Sequence, residues 1–203
     1  MLFLVLSFGQ THLSMKKFTI IVLLITGFVG NSQRQVFDDW FIAGGFNAVN
    51  SLGTLNPFES PGDWMFKNPF TVSAERQFAR DFNFEFALNL NGINQGERFD
   101  PVPATSDFTY ISFDTNVRYN FGRLIFRRGY DKIDFSAIGG VGFFRIEGSN
   151  LSFNLGGAAL FWLNENNTFG IRLQVMGKFA LNNASSGFEN NHYQYGLHAV
   201  FRL

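Results

Sequence analysis

Four acids and four bases stand in the polar phase of alternating stretches and could pair with one another. They are Glu75, Glu85, Asp114 and Asp134, with Arg118, Arg172, Lys178 and Arg202. If the link after Ala79 turns at Arg80, Glu75 falls directly opposite Glu85. Adjacent carboxylates repel, so a cation must reach between them. An arginine fork can bond two carboxylates, which makes Arg118 and Arg172 the candidates. The chemistry expected of these residues is a hydrogen-bonded plug, with loose pairing across small water pockets as the alternative.

Catalytic constellations are scarce. The histidines are His12, His192 and His198. His192 and His198 share one face of an extended stretch but stand too far apart to hold one metal. His192, with Ser185, Ser186 and Glu189 nearby, could imitate the Ser/His arrangement of a lipid-modifying enzyme. Those serines sit in an Asn/Gly-rich loop, a poor mount for a triad, so a rim histidine is the expectation. The acids of the loops are too sparse for a calcium cage, and no phosphate loop or metal motif appears. No catalytic residue, cofactor or metal site is expected.

The elements that must position the charged residues are strands. "DFNFEFALNLN", residues 81–91, puts Phe82, Phe84, Phe86, Leu88 and Leu90 on one face and Asn83, Glu85, Ala87, Asn89 and Asn91 on the other. The same period of two recurs over about 39–50, 68–79, 108–121, 132–145, 150–163, 168–181 and 192–203, with no sustained helical period. These runs span roughly 10–14 residues, whereas a membrane strand needs ~9–11 and soluble strands average ~5–6. Short links at 79–82, 122–131 and 163–168 alternate with longer ones at 51–67, 92–107 and 182–191, apart from a tight turn near Glu147. The fold class predicted is all-β: an eight-stranded antiparallel up-and-down transmembrane β-barrel. Its Phe/Leu face looks outward and its Asn/Glu face inward. Arg76 is the clear breach of the oily face, close to a strand end where a long side chain can reach polar surroundings.

Composition agrees. Charged residues are 16%, below the ~25% usual for soluble domains. With 28 Phe the mean hydropathy is still only +0.02, so oil and polarity must interleave finely. A formal net charge of zero argues against a nucleic-acid partner. The absence of cysteine removes disulfides, thiolate metal sites and a lipid-bearing N-terminal cysteine. "MKKFTIIVLLITGFVGNSQ" has a basic start, a short apolar run and small residues before Gln33. It reads as a signal peptide translated from Met15 and cleaved after Ser32, which divides the chain into residues 1–32 and a barrel over 33–203.

Aromatic girdles are expected at both membrane interfaces. Trp40, Phe78, Phe82, Phe121, Phe169 and Phe201 would form the periplasmic one, and Phe70, Phe113, Phe143, Phe153, Phe179 and Tyr193 the external one.

"LSFNLGGAALFWLNENNTFGIRLQVMGKFAL" followed by "NHYQYGLHAVFRL" resembles the OmpA-like eight-stranded outer-membrane β-barrel family, over about residues 36–203. The resemblance implies an assembly signal in the last strand, read by the barrel-insertion machinery. Gln194, Gly196, Ala199 and Phe201 fill its polar, glycine and hydrophobic positions, and Leu203 stands where the family usually ends in Phe. It also implies a Gram-negative-type outer membrane with both termini periplasmic and lipid as surroundings. The periplasmic peptidoglycan-binding domain of many relatives is not expected. The function expected is a structural or surface-interaction barrel, with loops 51–67, 92–107 and 182–191 offered to an extracellular ligand. The alternatives are a narrow channel, a lipid-modifying enzyme and a soluble ligand-binding barrel.

Overall fold

A strand with one oily and one polar face needs two different surroundings, and its backbone needs a partner on each edge. Closing the sheet on itself meets both demands. The computed structural model describes residues 38–51, 64–97, 103–126, 132–181 and 191–203 and shows that closure. Its strands are β1 (Trp40–Ser51), β2 (Phe70–Ala79), β3 (Phe82–Ile93), β4 (Phe108–Asn120), β5 (Ile133–Ile146), β6 (Gly148–Trp162), β7 (Phe169–Ala180) and β8 (His192–Arg202). Each pairs antiparallel with its sequence neighbour, and β8 returns to β1.

Burial follows the alternation. Thr71, Ser73 and Glu75 of β2 are buried while Phe70, Val72, Ala74 and Arg76 are exposed. In β3, Asn83, Glu85, Asn89 and Asn91 face the lumen while Phe82 and Phe86 are exposed. Arg76 does point outward, where it bonds Asp38 at 2.7 Å and lies over the Trp40 ring at 5.4 Å. Arg145 is a second outward cation, two residues from the tight turn where Glu147 takes φ 58°.

The two ends of the barrel differ. At one end, the turn end, the links are Arg80–Asp81, the segment after β4, and the turn before β7. In the last, the Asn164 side-chain oxygen accepts the N–H groups of Thr168 and Phe169 at 2.9 and 3.0 Å. The segment after β4 departs from the strands-only expectation: Gly122–Ile125 forms one helical turn, α1. Four residues are too few to show a helical period. The other end, the loop end, carries the β1–β2, β3–β4 and β7–β8 links and the tight β5–β6 turn at Glu147. Here an apolar cluster of Val49, Met65, Ile93, Tyr110, Phe144 and Ile146 fills the lumen. The expected signal peptide (1–32) and loop residues 52–63, 98–102 and 182–190 lie outside the described residues, and so do Ser185, Ser186 and Glu189.

Closure is tightest at Gly45. A Cβ there would stand 2.1 Å from the Leu197 carbonyl oxygen and 2.8 Å from His198 Cα. Gly45→Ala should force β1 and β8 apart and destabilise the barrel by about 2 kcal/mol or more. Urea unfolding of the refolded variant beside the parent checks this; equal midpoints would contradict it.

Candidate functional site

The register of β2 on β3 sets Glu75 opposite Glu85, both buried. Two cations reach them from other strands. Arg118 of β4 donates from Nη2 to Glu85 Oε1 at 2.8 Å, and its Nε lies 3.4 Å from Glu75 Oε2. Arg172 of β7 donates from Nη1 to Glu75 Oε1 and lies 3.7 Å from Glu85 Oε1. Each carboxylate therefore faces both guanidiniums. The other oxygens are served as well: Asn116 donates to Glu85 Oε2 at 3.1 Å and Asn83 to Glu75 Oε2 at 3.4 Å. Arg118 further donates to Ser136 Oγ and Gln174 Oε1, each at 3.0 Å. A set this well bonded ties β2, β3, β4, β5 and β7 across the lumen.

Towards the loop end, Lys178 Nζ donates to Asp114 Oδ2 at 2.7 Å, to Ser112 Oγ at 2.7 Å and to Tyr110 Oη at 3.2 Å. Asp114 accepts from Asn89 and Asn154 as well, both at 2.9 Å. Asn47 on β1 and Thr71 on β2 carry the bonding on, with Asn47 Nδ2 donating to Thr71 at 3.0 Å and Thr71 to Asn89 at 2.7 Å. Tyr110 Oη and His192 Nε2 are in hydrogen-bond contact at 3.0 Å. His192 is thus inside, fully buried, and not on the rim. Above Tyr110 the apolar cluster begins.

No protein-family model matches the sequence, and no curated protein matches it. Solved structures do. OprG, an outer membrane protein of Pseudomonas aeruginosa, aligns with TM-score 0.54 at 11% identity, over 82% of this chain and 96% of its own. The chain has the fold of the eight-stranded outer-membrane β-barrels. Ail, the attachment invasion locus protein of Yersinia pestis, aligns at TM-score 0.49 and 16% identity, over 82% of this chain and 99% of its own. The outer membrane protein AlkL aligns at 0.46 and 13%, over 86% and 94%.

Within that fold, two expected members of the charged network lie elsewhere. Arg202, the last residue of β8, pairs with Asp39 at the turn-end mouth and is partly exposed. Asp134, second in β5, accepts the Gly122 N–H at 3.0 Å and makes no ion pair among the described residues. Alternation places both on the inner face, but both stand towards its edge: Arg202 takes Asp39 as its partner, and Asp134 lines the recess beside Arg118 and Arg172 without an ion pair to either. The sequence reading also missed Tyr110, which falls in phase with Ser112, and the inward Phe144 and Ile146, hidden because β5 alternates poorly.

The expected girdle residues face outward. Trp40, Phe70, Phe78, Phe82, Phe153, Phe179 and Phe201 are exposed, while Phe121, Phe143, Phe169 and Tyr193 are half-buried. At the turn end the rings touch, Phe82 on Tyr119 and Phe169 on Phe201, each with centroids 4.9 Å apart. Phe113 is exposed as well and pairs across the sheet with Leu88 and with Phe143 of the same expected girdle. Missed aromatics include Tyr119 and the Trp64–Tyr195 stack, 4.4 Å between centroids. Of the expected assembly signal, Gln194 is buried, Ala199 lies between Leu197 and Phe201 on the outer face, and Leu203 is exposed past β8 with its N–H on the Trp40 carbonyl. Gly196 is half-buried opposite Asn47.

Outside the strands, Asp107 is held below the ordinary carboxylate range by the Lys67 ammonium at 2.6 Å and by the Gln95 N–H. Glu97 is lowered by the Asn94 side chain and backbone N–H. A depressed carboxyl stabilises above its unfolded pKa and loses that contribution as pH falls through the folded value. Amide exchange at Asn94 and Gln95 should therefore stay slow at neutral pH and accelerate, relative to intrinsic rates, below about pH 4. A pH-independent protection factor would contradict it.

Removing one cation from the central set leaves two buried carboxylates on the other. Arg172→Ala should cost about 3–5 kcal/mol. The double variant Glu75→Gln/Arg172→Met, which removes charge from each side, should cost less. Urea midpoints compare them, and an unchanged midpoint for Arg172→Ala would refute the coupling.

Proposed function

We propose that the chain is an integral barrel of the outer membrane of a Gram-negative-type envelope, with both termini periplasmic, a plugged lumen and a structural, surface-contact role. One observation carries this reading: the charged and amide side chains are inside and the large apolar ones outside. Phe46, Phe86, Val141, Leu155, Leu173 and Leu197 are exposed, while Glu75, Glu85, Asp114, Arg118, Arg172 and Lys178 are almost wholly buried. An apolar surface on this scale marks contact with lipid or protein, and around a closed barrel the fitting surroundings are lipid. Exposed rings near both ends suit the two interfaces. The fold shared with OprG supports the same setting.

The plugged lumen rests on two seals in series. The cross-lumen ion pairs fill the middle, and the apolar cluster fills the loop end. This favours a closed barrel over a narrow channel. The reading is also non-catalytic, because His192 is committed to Tyr110 and packed on the Phe144 ring at 4.6 Å. Surface contact falls to loops 51–67, 92–107 and 182–191, which would face outside, and the barrel-insertion machinery would read β8.

Two measurements test the proposal. Leu173 lies midway along β7, between Ala159 and Leu197. Leu173→Arg should cost about 2–4 kcal/mol in a bilayer, as for a cation at the midplane on the lipid side. Planar-bilayer recording of the parent should show no stable conducting state. A neutral effect of the arginine would remove the lipid-facing assignment, and steady single-channel steps would favour the channel.

A further inference from the structure

The turn end of the lumen is not sealed. A cavity of about 300 Å³ opens there and narrows into a recess of about 50 Å³. One wall is apolar. Phe41 of β1 and Trp162 of β6 pack with ring centroids 6.4 Å apart, and Leu160 continues the wall inward. The rest of the lining is polar: Asn83 of β3, Asn120 of β4 and Asp134 of β5, the last beside Leu160. The floor of the recess is Arg118 and Arg172, already engaged by Glu75 and Glu85.

Two glycines make room for the side chains that matter. A Cβ on Gly122 would stand 2.4 Å from Asp134 Oδ1, so only glycine lets this carboxylate take the Gly122 N–H. A Cβ on Gly170 would stand 3.1 Å from Trp162 Cε3 and 2.8 Å from the Phe161 carbonyl oxygen.

Charge at the mouth is balanced. Asp39, Asp81 and Asp134 face Arg80, Arg123 and Arg202. Arg123 pairs with Asp81 and Arg202 with Asp39. A simple cation or anion gains little field in such a lining. An apolar ligand would strip water from the amides and Asp134 without replacing their bonds. The lining asks for a neutral molecule with one apolar face and an edge of hydroxyls. The volume sits at the small end of ligand sites, ~300–1,000 Å³.

We propose that this vestibule binds a neutral saccharide of one or two pyranose rings. The C–H face of a ring lies on Trp162, and its hydroxyl edge meets Asp134 and Asn120, behind which Asn83 keeps its bonds to Glu75 and Asn120. Asp134 keeps its Oδ1 on Gly122 and offers its second oxygen to a hydroxyl. The site ends at Arg118 and Arg172, so the sugar is held and does not pass. This binding is separate from any ligand of the loops at the other end, and it stands or falls apart from the closed-lumen reading.

The full chain, refolded in a zwitterionic detergent free of sugar headgroups, is titrated with maltose and with N,N′-diacetylchitobiose. Nitrogen-edited NMR follows the Gly122 amide, the Trp162 indole and the side-chain amides of Asn83 and Asn120. At least one sugar should give saturable shifts confined to these groups, half-complete near roughly 1 mM. Asp134→Asn keeps an acceptor for Gly122 and should weaken binding about tenfold, the loss of one charge-assisted hydrogen bond. Trp162→Ala should weaken it at least as much. If a variant fails to refold, the location of the parent's shifts still decides. No saturable shift with either sugar, shifts centred on the loop end, or tighter binding of tetramethylammonium or inorganic sulfate would each overturn the proposal.

Discussion

Glu75 and Glu85 face each other on adjacent strands inside a closed barrel, and the middle of the lumen is arranged around that repulsion. Two carboxylates this close and this buried stay charged only if cations meet them. Neither β2 nor β3 supplies one on the inner face. The cations come from β4 and β7, so the ion pairs run across the lumen instead of along the sheet. Electrostatics thereby does the work that an apolar core does in a soluble domain. It holds distant strands at fixed separation and fills the middle of the barrel. Because a half-satisfied buried network is worse than none, the surrounding amides are constrained too. Asn83, Asn116 and Gln174 each supply a bond that the four charged groups leave open.

Much of this was legible in the sequence because a period of two is a strict code. It says which side chains share a face, but not the register. The link at Arg80–Asp81 pairs Ala79 with Phe82, which continued regularly would set Glu75 against Phe86; a one-residue shift between Gln77 and Ala79 brings Glu75 opposite Glu85, as a turn centred on Arg80 would. The code does not say how far along the barrel a residue stands. Arg202 and Asp134 share the inner face with Arg118 yet sit at the mouth. It is also blind where the inner face turns apolar. Phe144 and Ile146 break the polar-inside rule because they close the loop end, and Tyr110 serves both regimes, its ring in the apolar cluster and its hydroxyl on Lys178. The helical turn α1 rests on a contact between residues twelve apart, Gly122 and Asp134, which no local pattern announces.

The lumen is a graded column. Oil stops the loop end, a lysine–aspartate cluster follows, then the double ion pair, and the turn end opens into the vestibule. The gradient gives the two ends different work. The loop end presents an apolar cluster of Val49, Met65, Ile93, Tyr110, Phe144 and Ile146, which fits the closed barrel proposed above. The turn end presents a pocket with an aromatic wall and a hydrogen-bonding wall, suited to holding a small polar molecule. The arginines that neutralise Glu75 and Glu85 also form the floor of that pocket, so one set of charges both ties the barrel and ends its open space.

The central claim is that the two faces of the barrel wall meet opposite surroundings, lipid outside and, at the middle of the lumen, a bonded charge network inside. Paramagnetic relaxation from a spin label on the lipid acyl chain tests it most directly. With the isotope-labelled barrel in lipid nanodiscs, the label should broaden the side-chain signals of Phe86, Leu155, Leu173 and Leu197. It should leave those of Asn89, Asn116, Arg118 and Lys178 sharp. Equal broadening of both sets, or broadening of the polar set alone, would contradict the account.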